Sequence, residues 1–113
     1  MVIEIMGVPY TVKETQGINA DGEEFIMGQI DYIKQLILLD ESMPPEMKQV
    51  TLLHEVLHGI LMLMGQDAIN DDEGFVTRLA AALYSTFKNE LAPALTTQTE
   101  AAHEGKRSTE SAL

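Results

Sequence analysis

Short apolar clusters, broken by glycine and proline, fill the first third of the chain; longer apolar stretches with helical spacing follow. Val2-Ile3-Glu4-Ile5 and Tyr10-Thr11-Val12-Lys13 read as strands, and Gly7 with Pro9 between them predicts a hairpin or tight connection. Gly17-Ile18-Asn19-Ala20-Asp21-Gly22-Glu23-Glu24 is rich in glycine and acids and reads as a loop. Met27 to Asp31 and Gln35 to Asp40 predict two further strands around a turn at Tyr32-Ile33-Lys34. The unbroken apolar run of the second, Leu36-Ile37-Leu38-Leu39, suits a strand inside a sheet.

Ser42-Met43-Pro44-Pro45-Glu46 signals a helix start, because proline is tolerated in a first turn and Ser42 or a nearby residue is available to cap. The predicted helix runs from about Pro45 to Met64 and stops at Gly65. Its second half is apolar on nearly every side: Leu52, Leu53, Val56, Leu57, Ile60, Leu61, Met62, Leu63 and Met64. A helix without a wet face belongs at the centre of a domain. A second helix is predicted after Asn70-Asp71-Asp72 as far as about Leu91, with Val76, Leu79, Ala80, Leu83 and Phe87 as its packing stripe. From Ala92 onward the residues are polar and aperiodic, which predicts a disordered tail over residues 92–113. The expected architecture is α+β, with one domain over residues 1–91.

Within the first helix stands His54-Glu55-Val56-Leu57-His58. Residues four apart lie one above the other on a helix, so the two imidazoles can converge on one metal ion. Glu55 points to the neighbouring flank, as a general base for an activated water does in zinc hydrolases. The pattern is short and arises by chance on partly exposed helices. Its setting matters more: two histidines and a carboxylate are costly to bury on an apolar helix unless paired or ligated.

A catalytic zinc usually takes three protein ligands. Metzincins place a third histidine six residues after the second, with glycine midway; here Leu61 and Met64 stand at those positions. The remaining histidine, His103, falls in the predicted tail. A carboxylate from the second helix is therefore expected, and Asp67, Asp71, Asp72 and Glu73 are the candidates. Glu73 lies three residues before Val76 and seven before Ala80, on the inward face. It also fits, with Asn70, the N-cap and N3 spacing of a capping box, which is its structural alternative. Asp72 stands in reserve.

Charge narrows the partners. The 113 residues carry 18 acidic and 7 basic side chains, a formal net charge of -11. Such a surface repels phosphate backbones and anionic lipids, so neither nucleic acid nor a membrane is expected as a partner. No apolar run approaches the roughly 20 residues that span a bilayer, and Met1-Val2-Ile3-Glu4 lacks the features of a signal peptide. Cysteine is absent, which removes thiolate ligands and suits a reducing, cytoplasmic location.

Thr51-Leu52-Leu53-His54-Glu55-Val56-Leu57-His58-Gly59-Ile60 is preceded by Gly28-Gln29-Ile30-Asp31-Tyr32 and followed by Asp72-Glu73-Gly74-Phe75-Val76-Thr77-Arg78-Leu79-Ala80. Together these segments resemble the small phage and prophage proteins related to the ImmA/IrrE-type zinc metallopeptidases, over about residues 1–91. The resemblance implies a minimal zincin fold, with a small sheet packed on the motif helix. It implies His54, His58 and Glu73 as ligands of Zn2+ and Glu55 as general base. The helix-turn-helix and sensor domains of larger members have no counterpart here.

The expected chemistry is hydrolysis of a peptide or protein substrate, with a strand such as Gln35 to Asp40 pairing with it. Tyr32 and Tyr84 are candidate oxyanion stabilisers, although packing is the ordinary use of tyrosine. Two other classes compete: a metal-binding or interaction protein that keeps the scaffold without catalysis, and an acidic decoy for a basic host protein.

Overall fold

The computed structural model describes residues 1–18 and 26–89. Most of the expected loop, from Asn19 to Glu24, lies outside them, as do the expected end of the second helix at Leu91, His103 and the expected tail. Met1–Ala81 form one unit, and a second begins at Ala82. The first unit holds four strands, β1 (Val2–Ile5), β2 (Val8–Thr15), β3 (Gly28–Asp31) and β4 (Leu36–Asp40). It also holds α1 (Pro45–Leu63), α2 (Asp67–Asn70) and most of α3 (Glu73–Phe87). The architecture is α+β, as expected. In the second unit the described residues complete α3, and Lys88 donates its backbone N–H to Tyr84 (2.9 Å).

The sheet runs β1-β2-β4-β3; β1–β2 and β3–β4 are antiparallel, whereas β2–β4 is parallel. Met6 and Gly7 both take left-handed backbone angles (φ 49° and 84°) and make the two-residue hairpin loop that Gly7 predicted. β2 starts two residues earlier than expected and includes Pro9. That is tolerated because β4 begins to pair only opposite Thr11, so Pro9 needs no N–H on that side. At the other hairpin, Asp31 Oδ1 accepts the N–H groups of Ile33 (3.0 Å) and Lys34 (2.9 Å).

β4 lies inside the sheet, as its apolar run predicted, and both its edges are used. It therefore has no free edge for an extended peptide, contrary to the expectation for Gln35–Asp40. The parallel β2–β4 pairing moves β3 to the rim instead.

One face of the sheet carries Ile5, Tyr10, Val12, Ile37 and Leu39, all buried, and α1 lays Leu52, Val56 and Ile60 against them. These positions recur every four residues, so one stripe of α1 faces the sheet. Two glycines allow close approach. A methyl group on Gly59 would come within 2.8 Å of Ile5 Cδ1, and one on Gly28 within 2.5 Å of Thr51 Cγ2.

The ends of α1 show one difference and one agreement. Ser42 does not cap it: its N–H (3.1 Å) and hydroxyl both donate to Asp40 Oδ2, and Pro44 is the N-cap without a side-chain bond. At the other end Gly65 adopts φ 72°, with Gly65 N–H to Met62 O (3.0 Å) and Gln66 N–H to Leu61 O (2.9 Å). This is a Schellman stop. From Val50 to Met62 no residue of α1 is exposed.

α2 was not expected; four residues are too few to show a period. On α3, Val76 and Ala80 are buried, Leu79 and Leu83 half-buried, and Phe87 exposed. Replacing Gly28 by alanine should cost about 1–3 kcal/mol through overpacking against α1, several degrees of Tm in a domain this small. Thermal melts of Gly28→Ala beside the parent would check this, and an unchanged Tm would contradict the tight β3–α1 contact.

Candidate metal centre

His54 and His58 occupy the stripe of α1 turned away from the sheet, roughly 120–160° from Leu52 and Val56 at 100° per residue. There they meet the start of α3. Glu73, its first residue, reaches both rings: Oε2 lies 3.1 Å from His54 Nε2 and Oε1 2.8 Å from His58 Nε2. The two Nε2 atoms face each other at 3.2 Å. Among the described residues these three side chains form a set able to hold a metal ion, with donor atoms within 4.8 Å of one another.

Two ring nitrogens this close cannot both carry protons without repulsion, and a carboxylate that touches both adds a negative charge between them. A shared cation satisfies all three donors. Donors about 2.1 Å from one tetrahedral ion stand roughly 3.4 Å apart. The observed separations are slightly tighter, and the donor set, two imidazoles and one carboxylate, suits zinc. The histidine side chains are mostly covered (16% and 13% exposed), whereas that of Glu73 is 67% exposed, so the cluster opens to solvent on the carboxylate side.

Local structure assigns the neighbouring acids. Asp72 Oδ1 accepts the N–H of Phe75 (3.0 Å) and so caps α3, a role that the spacing had offered to Asn70. Glu73 is thereby free to reach the histidines. Asp67 and Asp71 are exposed and take no part in the cluster. For Glu73, partial burial alone would raise the pKa. The hydrogen-bond contacts with His54 and His58 and the electrostatic pull of the two rings outweigh it and hold the carboxyl below its ordinary value.

Glu55 sits elsewhere on the helix surface. One residue from His54 means a turn of about 100°, which carries it from the histidine stripe to the β3 side. A methyl group on Gly28 would come within 3.2 Å of its Oε2. The residue is only 7% exposed. Burial pushes its carboxyl up to about 7; nearby His58 opposes this and Glu73 reinforces it. Such a group can both take and give a proton near neutrality.

Three residues have roles here other than those the sequence suggested. Asn70, at the end of α2, places Oδ1 2.5 Å from His58 Nδ1 and donates through Nδ2 to Tyr32 Oη (3.2 Å). Tyr32 in turn lies 3.5 Å from the backbone carbonyl of His58. Its hydroxyl is thus engaged by Asn70 and the helix backbone, which argues against the oxyanion role considered for it. Tyr84 falls in the second unit, where Lys88 Nζ stands 5.3 Å from its ring centroid. The third residue is Gly28, and a glycine inside a strand is itself a signal of close backbone approach.

No protein-family model matches the chain, and no curated protein or solved structure matches it either.

The raised carboxyl has a stability consequence in metal-free protein. Between about 4.5 and 7 the folded state keeps the Glu55 proton that the unfolded chain has released, so stability falls as pH rises through that window. Glu55→Gln removes the dependence. The stability difference between variant and parent should shift by about 3 kcal/mol in the variant's favour from pH 4.5 to pH 7. Denaturant titrations across the range would measure it, and a constant difference would contradict the burial of an ionising carboxyl.

Proposed function

We propose that this protein is a zinc-dependent peptidase, in keeping with the resemblance to the ImmA/IrrE-type metallopeptidases. One observation carries the reading: His54, His58 and Glu73 converge at 2.8–3.2 Å on the stripe of α1 next to a buried carboxylate, Glu55, poised near neutral pH. Zinc bound by these three side chains would supply Lewis acidity towards a water and a peptide carbonyl.

The chain's own residues do the rest. Ionised Glu55 takes the proton of the attacking water on a carboxylate oxygen and, as the acid, returns it to the departing amine. Its burial under β3 keeps that proton from bulk solvent and raises the carboxylate's hold on it. His54 and His58 are held by the helix at a fixed separation, so ligand geometry is settled before substrate arrives. β3 is the rim strand beside Glu55, and among the described residues it pairs only with β4. An extended peptide adding to that edge would lie alongside the carboxylate.

A second reading, metal as a structural clasp without chemistry, has one observation in its favour. The donors join α1 to the first residue of α3, so binding would fasten two helices together.

Zinc-loaded protein offered a diverse peptide mixture should cleave it, and Glu55→Gln should lose about 10²–10⁴-fold of that activity while binding zinc as the parent does. Mass spectrometry of the products and a parallel zinc titration give both readouts. Zinc binding with no cleavage by either protein would favour the clasp; equal cleavage by both would remove Glu55 from the mechanism.

A further inference from the structure

We propose that Asn70, oriented by Tyr32, is a positioning residue that fixes which ring nitrogen of His58 is presented to the metal cluster. The consequence for metal binding rests on the metal-site reading above; the hydrogen-bond logic does not. It begins at the backbone carbonyl of His58, which can only accept. Tyr32, 3.5 Å away, gives its single proton there. Having donated, Tyr32 Oη is left to accept, and its partner at 3.2 Å is the Asn70 side chain. Asn70 must therefore turn its NH₂ group towards Tyr32 and its carbonyl oxygen towards His58 Nδ1, at 2.5 Å. An amide oxygen has no proton to offer, so Nδ1 carries the hydrogen. In the neutral ring Nε2 then keeps its lone pair, and Nε2 is the atom that faces His54 Nε2 and Glu73 Oε1.

The polarity is thus set by an atom that cannot reverse, and it returns through two side chains to the same residue's ring. With the amide flipped, Tyr32 would give its proton to Asn70 and the contact to the His58 carbonyl would be lost. His58 would then hold its own proton on Nε2, where it blocks a ligand bond. Outer-shell bonds of this kind orient metal-ligating histidines and fix their tautomer. The surrounding structure supports such a role. α2 has no buried residue, so core packing does not explain its placement. Asn70 is its one half-buried side chain, and it links α2, the β3–β4 turn and α1.

Two measurements test the assignment. In the first, zinc affinity is read by competition with a chromophoric chelator, with melts of the metal-free proteins confirming that each variant folds. Asn70→Ala should bind zinc about 10–100-fold more weakly. Tyr32→Phe should show a smaller loss, and Asn70→Asp, which keeps an acceptor oxygen against Nδ1, should bind close to the parent. The second is the ring ¹⁵N spectrum of His58 in metal-free Glu73→Ala protein, at a pH where the ring is neutral and the competing carboxylate is gone. A proton on Nδ1 that loses its preference when Asn70→Ala is added supports the proposal. A proton on Nε2, or a folded Asn70→Ala that binds zinc like the parent, overturns it. If the parent binds no zinc, the metal-site reading falls and the ring spectrum alone decides the role of Asn70.

Discussion

Facing imidazole nitrogens 3.2 Å apart on successive turns of one helix pose an electrostatic problem around which the rest of the structure is arranged. Both rings are largely withdrawn from water, so solvent cannot relieve the crowding of protons or lone pairs between them. Glu73 answers from outside the helix with one oxygen for each ring. Its arrival depends on where α3 starts, and that start is set by Asp72, which caps the helix and leaves the next residue free. The adjacent acids Asp72 and Glu73 therefore have different tasks, assigned by backbone geometry rather than by charge.

The same helix separates two kinds of chemistry. Its sheet-facing stripe is apolar and closely seated, helped by Gly59 and Gly28. Its opposite stripe carries the histidines. Glu55, one residue from His54, falls between these worlds, under the rim strand and away from water. A carboxylate there destabilises the fold at neutral pH, because burial disfavours its charge. Such an expense is typical of functional groups, whose perturbed pKa values suit a task rather than stability.

Much of this was legible in the sequence, and the gaps have physical causes. α1 could be read because its proline start, its uniform apolar character and Gly65 all point to one helix. The approach of Glu73 to the histidines could be read because it shares a helix face with Val76 and Ala80, although its side chain stays exposed and Asn70 at N-cap spacing offered a competing explanation. The structure gives that cap to Asp72. Strand order was not legible: a parallel β2–β4 pairing leaves no local mark, so the expectation that Gln35–Asp40 offers a free edge failed and β3 took that place. The Tyr32–Asn70–His58 chain was equally hidden. Its members come from a turn, a four-residue helix and the motif helix, and no periodicity relates them.

The central claim is that His54, His58 and Glu73 make one metal site, and metal content tests it most directly. Protein purified without added metal, then dialysed against zinc and freed of excess, should retain about one equivalent per chain by elemental analysis, as expected for a single three-ligand site. His54→Ala, His58→Ala and Glu73→Ala should each retain far less. A content well below one in the parent, or parent-like retention in the three variants, would contradict the account.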